Sequence, residues 1–103
     1  MAITKHFRET VMKRAKEDHQ FRREMLREAV EALINDEVDL AKSLLRDYIN
    51  ATIQFGVLAD QLNKETKSLQ RMFGPSGNPT ARNLFSVIHL LQEAEGVKLR
   101  VCI

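Results

Sequence analysis

Apolar residues return every three or four positions along most of the chain, the spacing that places them on one face of an α-helix. Ile3, Phe7, Val11 and Ala15 form the first such stripe, and Thr4 is placed to cap the helix that carries it. Asp18 is a favourable N-cap for the next segment, HQFRREMLREAVEALI, in which Phe21, Met25, Ala29 and Leu33 share a face with Leu26 and Val30 beside it. NDEVD, residues 35–39, interrupts the pattern and gives the third helix an acidic start; its Leu40, Ala41, Leu44, Leu45, Tyr48 and Ile49 carry it to about Ala51. The mixed charges on the outer faces of these three helices read as solvated surface.

The rhythm then shortens. LADQLNKETKSLQRMFG, Leu58 to Gly74, contains two brief apolar-spaced helices separated by three or four polar residues. Leu58, Ala59 and Leu62 supply the buried face of the first, and Leu69 and Met72 anchor the second. Asn63 stands at the turn, where a left-handed residue is needed and Asn tolerates that conformation well. A short bracing helix, a tight turn and a second short helix is the arrangement that lets one helix enter the major groove of B-DNA. Counted from Ala59, the intervals are four to Asn63, ten to Leu69 and thirteen to Met72, the helix-turn-helix pattern.

After this pair, GPSGNP, residues 74–79, holds two of the four glycines and both prolines, and so ends the second helix at Phe73 or Gly74. Asn78 followed by Pro79 predicts an N-cap with proline at the first helical position. Leu84, Val87, Ile88 and Leu91 stripe the helix that follows, Phe85 flanks them, and Gly96 terminates it. The tail VKLRVCI alternates Val97, Leu99, Val101 and Ile103 with Lys98, Arg100 and Cys102, which predicts a half-buried strand.

The stretch resembles the helix-turn-helix of phage-repressor-like (Xre) regulators and, more narrowly, the HigA-like antitoxins of bacterial addiction modules. The resemblance covers Asp39 to Val101, and GNPTARNLFSVIHLLQ, a Gly-Asn-Pro turn opening an apolar-striped helix ahead of a short strand, is its most specific part. Lys64 stands where such proteins usually carry an apolar residue, and Glu65 replaces the usual Ser or Thr cap. The resemblance implies a mainly α fold of five to six helices with a phage-repressor-like helix-turn-helix and a short C-terminal β-strand. It also implies an antitoxin that represses its own operon and neutralises a cognate toxin.

Independently of that resemblance, the second short helix presents Thr66, Lys67, Gln70 and Arg71 away from its Leu69 and Met72 face. Gln70 can pair with adenine and Arg71 with guanine, while Lys67 and Ser68 suit phosphates equally well. Free N–H groups at the start of the next helix, with Thr80 and Arg82 beside them, also suit a phosphate. Local charge agrees: from Lys64 to Arg82 the cations Lys64, Lys67, Arg71 and Arg82 face only Glu65, whereas the first fifty residues balance ten basic against ten acidic side chains. A solvated charged face is the plainer account of the same residues.

A lone strand leaves its backbone groups unpaired. The tail therefore predicts a homodimer in which Val97, Leu99 and Val101 of two copies meet, or alternatively addition to a toxin's sheet edge; a tail that simply packs on the helices, or is disordered, is the plainer account. A two-fold dimer would read a palindromic operator in double-stranded DNA.

The remaining features set limits. At 103 residues, with 44% hydrophobic and 29% charged residues, the chain suits one core. Residues 1–36 would be an N-terminal helical extension and 37–103 the helix-turn-helix domain with its dimerisation strand, packed as a single unit. The single cysteine, Cys102, and the absence of an apolar leader or membrane span lead us to expect a cytoplasmic protein with no membrane association. His6, His19 and His89 are scattered without metal-ligand spacing, and no phosphate loop or paired-carboxylate motif occurs, so no metal, cofactor or catalysis is expected. A stand-alone regulator and a protein-interaction module that has lost DNA binding remain alternatives. A toxin could contact the N-terminal helices.

Overall fold

The computed structural model describes residues 5–103, so Ile3 and the Thr4 cap lie outside the described residues. Six helices follow one another among them: α1 (Lys5–Glu17), α2 (His19–Ile34), α3 (Val38–Ala51), α4 (Phe55–Leu62), α5 (Thr66–Met72) and α6 (Ala81–Glu95). The protein is mainly α. None of these helices is long and apolar enough to cross a membrane. The chain divides into two compact units, Met1–Thr52 and Ile53–Ile103.

In the first unit each of α1, α2 and α3 packs on the other two. The sequence had grouped α3 with the C-terminal segment, but its apolar face carries Ala41, Leu45, Tyr48 and Ile49, all buried, and it packs on α1 and α2. Asp18 caps α2 as expected, its Oδ1 accepting the Phe21 N–H at 3.1 Å. Ala15, Met25, Leu26, Ala29, Ala32 and Ala51 are buried with them. Phe7 departs from its predicted stripe and is 56% exposed.

Three helices end in one backbone device. At α2 the Glu37 N–H returns to the Ala32 carbonyl (2.8 Å) across Asp36, at φ 61°. At α4 Lys64 returns to Ala59 (2.9 Å) across Asn63, at φ 56° and ψ 47°. At α6 Val97 returns to Gln92 (3.0 Å) across Gly96, at φ 74°. Each closure satisfies a carbonyl that the helix leaves without a partner, and each needs a left-handed residue, the position that Asp, Asn and Gly adopt at least cost.

In the second unit α4 packs on both α5 and α6. Leu58, Ala59, Leu69, Leu84, Val87, Ile88 and Leu91 are buried, and the rings of Phe55 and Phe73 meet at 6.0 Å between centroids, tilted by 52°. That pair ties the start of α4 to the end of α5, so the two short helices are clamped at both the turn and the open ends.

The predicted C-terminal strand is absent among the described residues, and residues 97–103 are irregular. A strand requires a paired neighbour, and the first part of the tail spends its bonding on its own helix instead. The Val97 N–H goes to the Gln92 carbonyl, and the Leu99 N–H goes to Gln92 Oε1 at 2.7 Å. Of the three residues assigned to dimerisation, Val97 and Leu99 are half-buried in this way and Val101 is exposed.

Candidate nucleic-acid interface

The site is built on α5. With seven residues it makes barely two turns, too short to hold itself in water, so its conformation depends on its buried face. Leu69 is fully buried and Met72 half-buried, while Thr66, Lys67, Ser68, Gln70 and Arg71 are all exposed. The predicted division between anchoring and presented side chains therefore holds along the whole helix. Glu65 occupies the N-cap in extended conformation without a side-chain cap bond, and its carbonyl accepts the Leu69 N–H at 3.1 Å. Its carboxylate is exposed beside the first turn, where the helix dipole favours it but a phosphate would not.

Beyond α5 the chain doubles back. Gly74 N–H bonds the Arg71 carbonyl (3.1 Å) and Gly77 N–H bonds the Gly74 carbonyl (3.0 Å). This brings Gly77 so close that a Cβ there would lie 2.1 Å from the Arg71 carbonyl oxygen and 2.6 Å from that of Met72. Only glycine fits, and the start of α6 is thereby set beside α5.

Between them lies an open depression of about 260 Å³ lined by Ser68, Arg71 and Met72 from α5, by Asn78 and Thr80 from the return and by Asn83 from the first turn of α6. Ser68, Arg71 and Thr80, proposed separately from the sequence, converge there. Thr66, Lys67 and Gln70 are exposed elsewhere on α5, and Arg82 is exposed in the first turn of α6 without lining the depression.

The cap of α6 is Thr80, not Asn78: its hydroxyl accepts the Asn83 N–H at 3.2 Å, and the helix begins at Ala81. A Thr with its φ and ψ at −70° and 158° satisfies the first free N–H one turn on, which leaves Pro79 in the approaching loop. Asn78 and Asn83 were not anticipated as lining residues. Asn83, three residues past the cap, could have been placed once the cap was known.

In the first unit Arg8 pairs with Asp47 at 3.9 Å, Arg14 with Asp18 at 3.8 Å, Arg27 with Glu24 at 2.6 Å and Glu31 at 2.9 Å, and Lys42 with Asp39 at 3.8 Å, while Lys13 and Lys16 are exposed. In the second, His89 Nε2 lies 2.9 Å from Glu93 Oε1, and among the described residues Lys64, Lys67, Arg71 and Arg82 pair with no carboxylate. All four are exposed. His6, His19 and His89 are exposed on three different helices.

No protein-family model, no curated protein and no solved structure matches the chain.

Proposed function

We propose that this chain is a sequence-specific DNA-binding transcription regulator that lays α5 in the major groove, acts as a homodimer on a palindromic operator, and serves as the antitoxin of a toxin–antitoxin module that represses its own operon. The observation that carries the DNA-binding reading is a two-turn helix anchored by Leu69 whose outward face, with its surroundings, holds four unpaired cations beside Gln70. Unpaired, exposed cations gain most from meeting phosphates, because no internal ion pair has to be given up. Gln70 and Arg71 are the base readers, for adenine and guanine respectively. Thr66 and Lys67 flank them, Ser68 and Thr80 contact the DNA backbone at the depression, and Arg82 contacts it from the first turn of α6. Two copies about a two-fold axis would address half-sites roughly 34 Å apart.

The antitoxin role rests on the sequence resemblance, and a small basic ribonuclease-like product from the adjacent reading frame separates it from a stand-alone regulator. Glu65, exposed at the start of α5, favours the remaining alternative of an interaction module that does not bind DNA. Fluorescence anisotropy with a duplex of the gene's own promoter, at fixed salt, distinguishes these. The regulator binds saturably and prefers the promoter to random duplex, and Gln70→Ala and Arg71→Ala each cost about 1–3 kcal/mol of discrimination. Equal affinity for random duplex, or none for either, counts against it.

A further inference from the structure

DNA binding makes no use of the corner between α2 and α3. Glu24, Glu28, Glu31, Asp36, Glu37 and Asp39 crowd this stretch of sequence, where Arg27 is held by Glu24 and Glu31 and Lys42 lies 3.8 Å from Asp39. Among these acids Ile34, Val38 and Leu40 are exposed by 61%, 39% and 49%. A groove of about 310 Å³ opens there, lined by the carboxylate residues Glu28, Glu31 and Glu37 and by the apolar Ala32, Leu40 and Leu44. Glu37 makes no side-chain cap bond to α3, so its carboxylate is not spent on the helix start. Acids alone would be a solvated corner, but the exposed Leu40 and the half-buried Leu44 within the groove, with Ile34 and Val38 exposed nearby in sequence, describe an interaction surface for an apolar segment carrying positive charge.

The same chain displays such a segment. Lys98 and Arg100 are exposed, and beyond Leu99 the aliphatic Val101 and Ile103 are exposed as well. Were the segment drawn out into an extended strand on docking, alternate side chains would point to opposite sides, with Val101 and Ile103 on one and Lys98 and Arg100 on the other.

We propose that the groove at the α2–α3 corner receives residues 98–103 of a second copy of this chain. Val101 and Ile103 cover Leu40 and Leu44, and the long stems of Lys98 and Arg100 carry their charges to the rim at Glu28, Glu31 and Glu37. Under two-fold symmetry each copy returns the contact it receives, which closes the dimer without pairing the two tails to each other. This deepens the dimer reading and is independent of DNA binding.

Sedimentation of the full chain over a concentration series, without DNA, tests it. Glu28→Lys with Glu37→Lys in the groove, or Lys98→Glu with Arg100→Glu in the tail, weakens dimerisation at least about tenfold, and combining all four restores it. All four positions are exposed, and unchanged circular dichroism verifies folding. Raising salt weakens the wild-type dimer. A dimer that survives the groove reversal but not the tail reversal overturns the proposal in favour of tail-to-tail pairing, and a monomer at every concentration overturns it outright.

Discussion

Gly77 leaves no room for any side chain, because a Cβ would overlap the carbonyls of Arg71 and Met72. Backbone cannot swing aside as a side-chain tip can. Gly77→Ala should therefore cost about 1–3 kcal/mol, read as a lowered midpoint in thermal or urea denaturation. Gly56 is the contrast: it lies in the first turn of α4, and a Cβ there meets nothing within 4 Å. Gly56→Ala should raise stability by about 0.5–1 kcal/mol in the same assay, since it removes freedom only from the unfolded chain. A charged residue gives a third test. The hydrogen bond from Arg27 holds the Glu24 carboxyl below the usual glutamate value of 4.5. A lowered pKa means the folded state favours the charged form. Its contribution is thus present above the ordinary glutamate range and lost as pH falls through the depressed pKa. An NMR titration of the Glu24 carboxyl should give a midpoint below that of an ordinary glutamate, and Arg27→Ala should bring it back.

Among the elements, the α4–α5 pair depends most on single positions. Asn63 turns the chain in the left-handed region, so Asn63→Gly should be nearly neutral and Asn63→Val should cost about 1–2 kcal/mol by chemical denaturation. Leu69→Ala, at full burial, should cost about 2–5 kcal/mol, whereas Gln70→Ala, one residue on and exposed, should stay within about 0.5 kcal/mol. That contrast separates the anchoring face of α5 from its presented face without any ligand. The helices were legible because their apolar stripes repeat, and so were Asp18 and Asn63, whose side chains suit a cap and a left-handed turn, and Gly96, whose missing Cβ suits a left-handed turn. Thr80 was not: Asn-Pro is a helix start by local preference, but Thr80 two residues on offers a hydroxyl to a free N–H as well, and the chain's return past Gly77 decides between them. The Phe55–Phe73 clamp joins residues too far apart in sequence for a periodic pattern to couple, although Phe73 falls four residues after Leu69. For the tail, the alternation of Val97 to Ile103 was legible, but a strand needs a neighbour that the period of two cannot supply. Gln92 takes the first backbone bonds instead. The convergence of Ser68, Arg71 and Thr80 could be guessed only piecemeal, since it depends on a glycine contact invisible in composition.

At the scale of the molecule, what matters for a phosphate partner is which cations already hold a carboxylate. In the first unit Arg8, Arg14, Arg27 and Lys42 are tied to carboxylates, and in the second Lys64, Lys67, Arg71 and Arg82 are not. If the free cations meet phosphates, binding must weaken as salt rises, and Lys67→Ala should flatten the logarithmic salt dependence by about one unit while affecting all sequences alike. Arg71→Ala should instead relax sequence preference at one base position. The most direct test of the central claim is an NMR titration of the isotope-labelled protein with its own promoter duplex. The account predicts that amide shifts concentrate at residues 64–72 and 77–83 and saturate at a fixed stoichiometry. Shifts confined to α1, α2 and α3, or none anywhere at low salt, would contradict it.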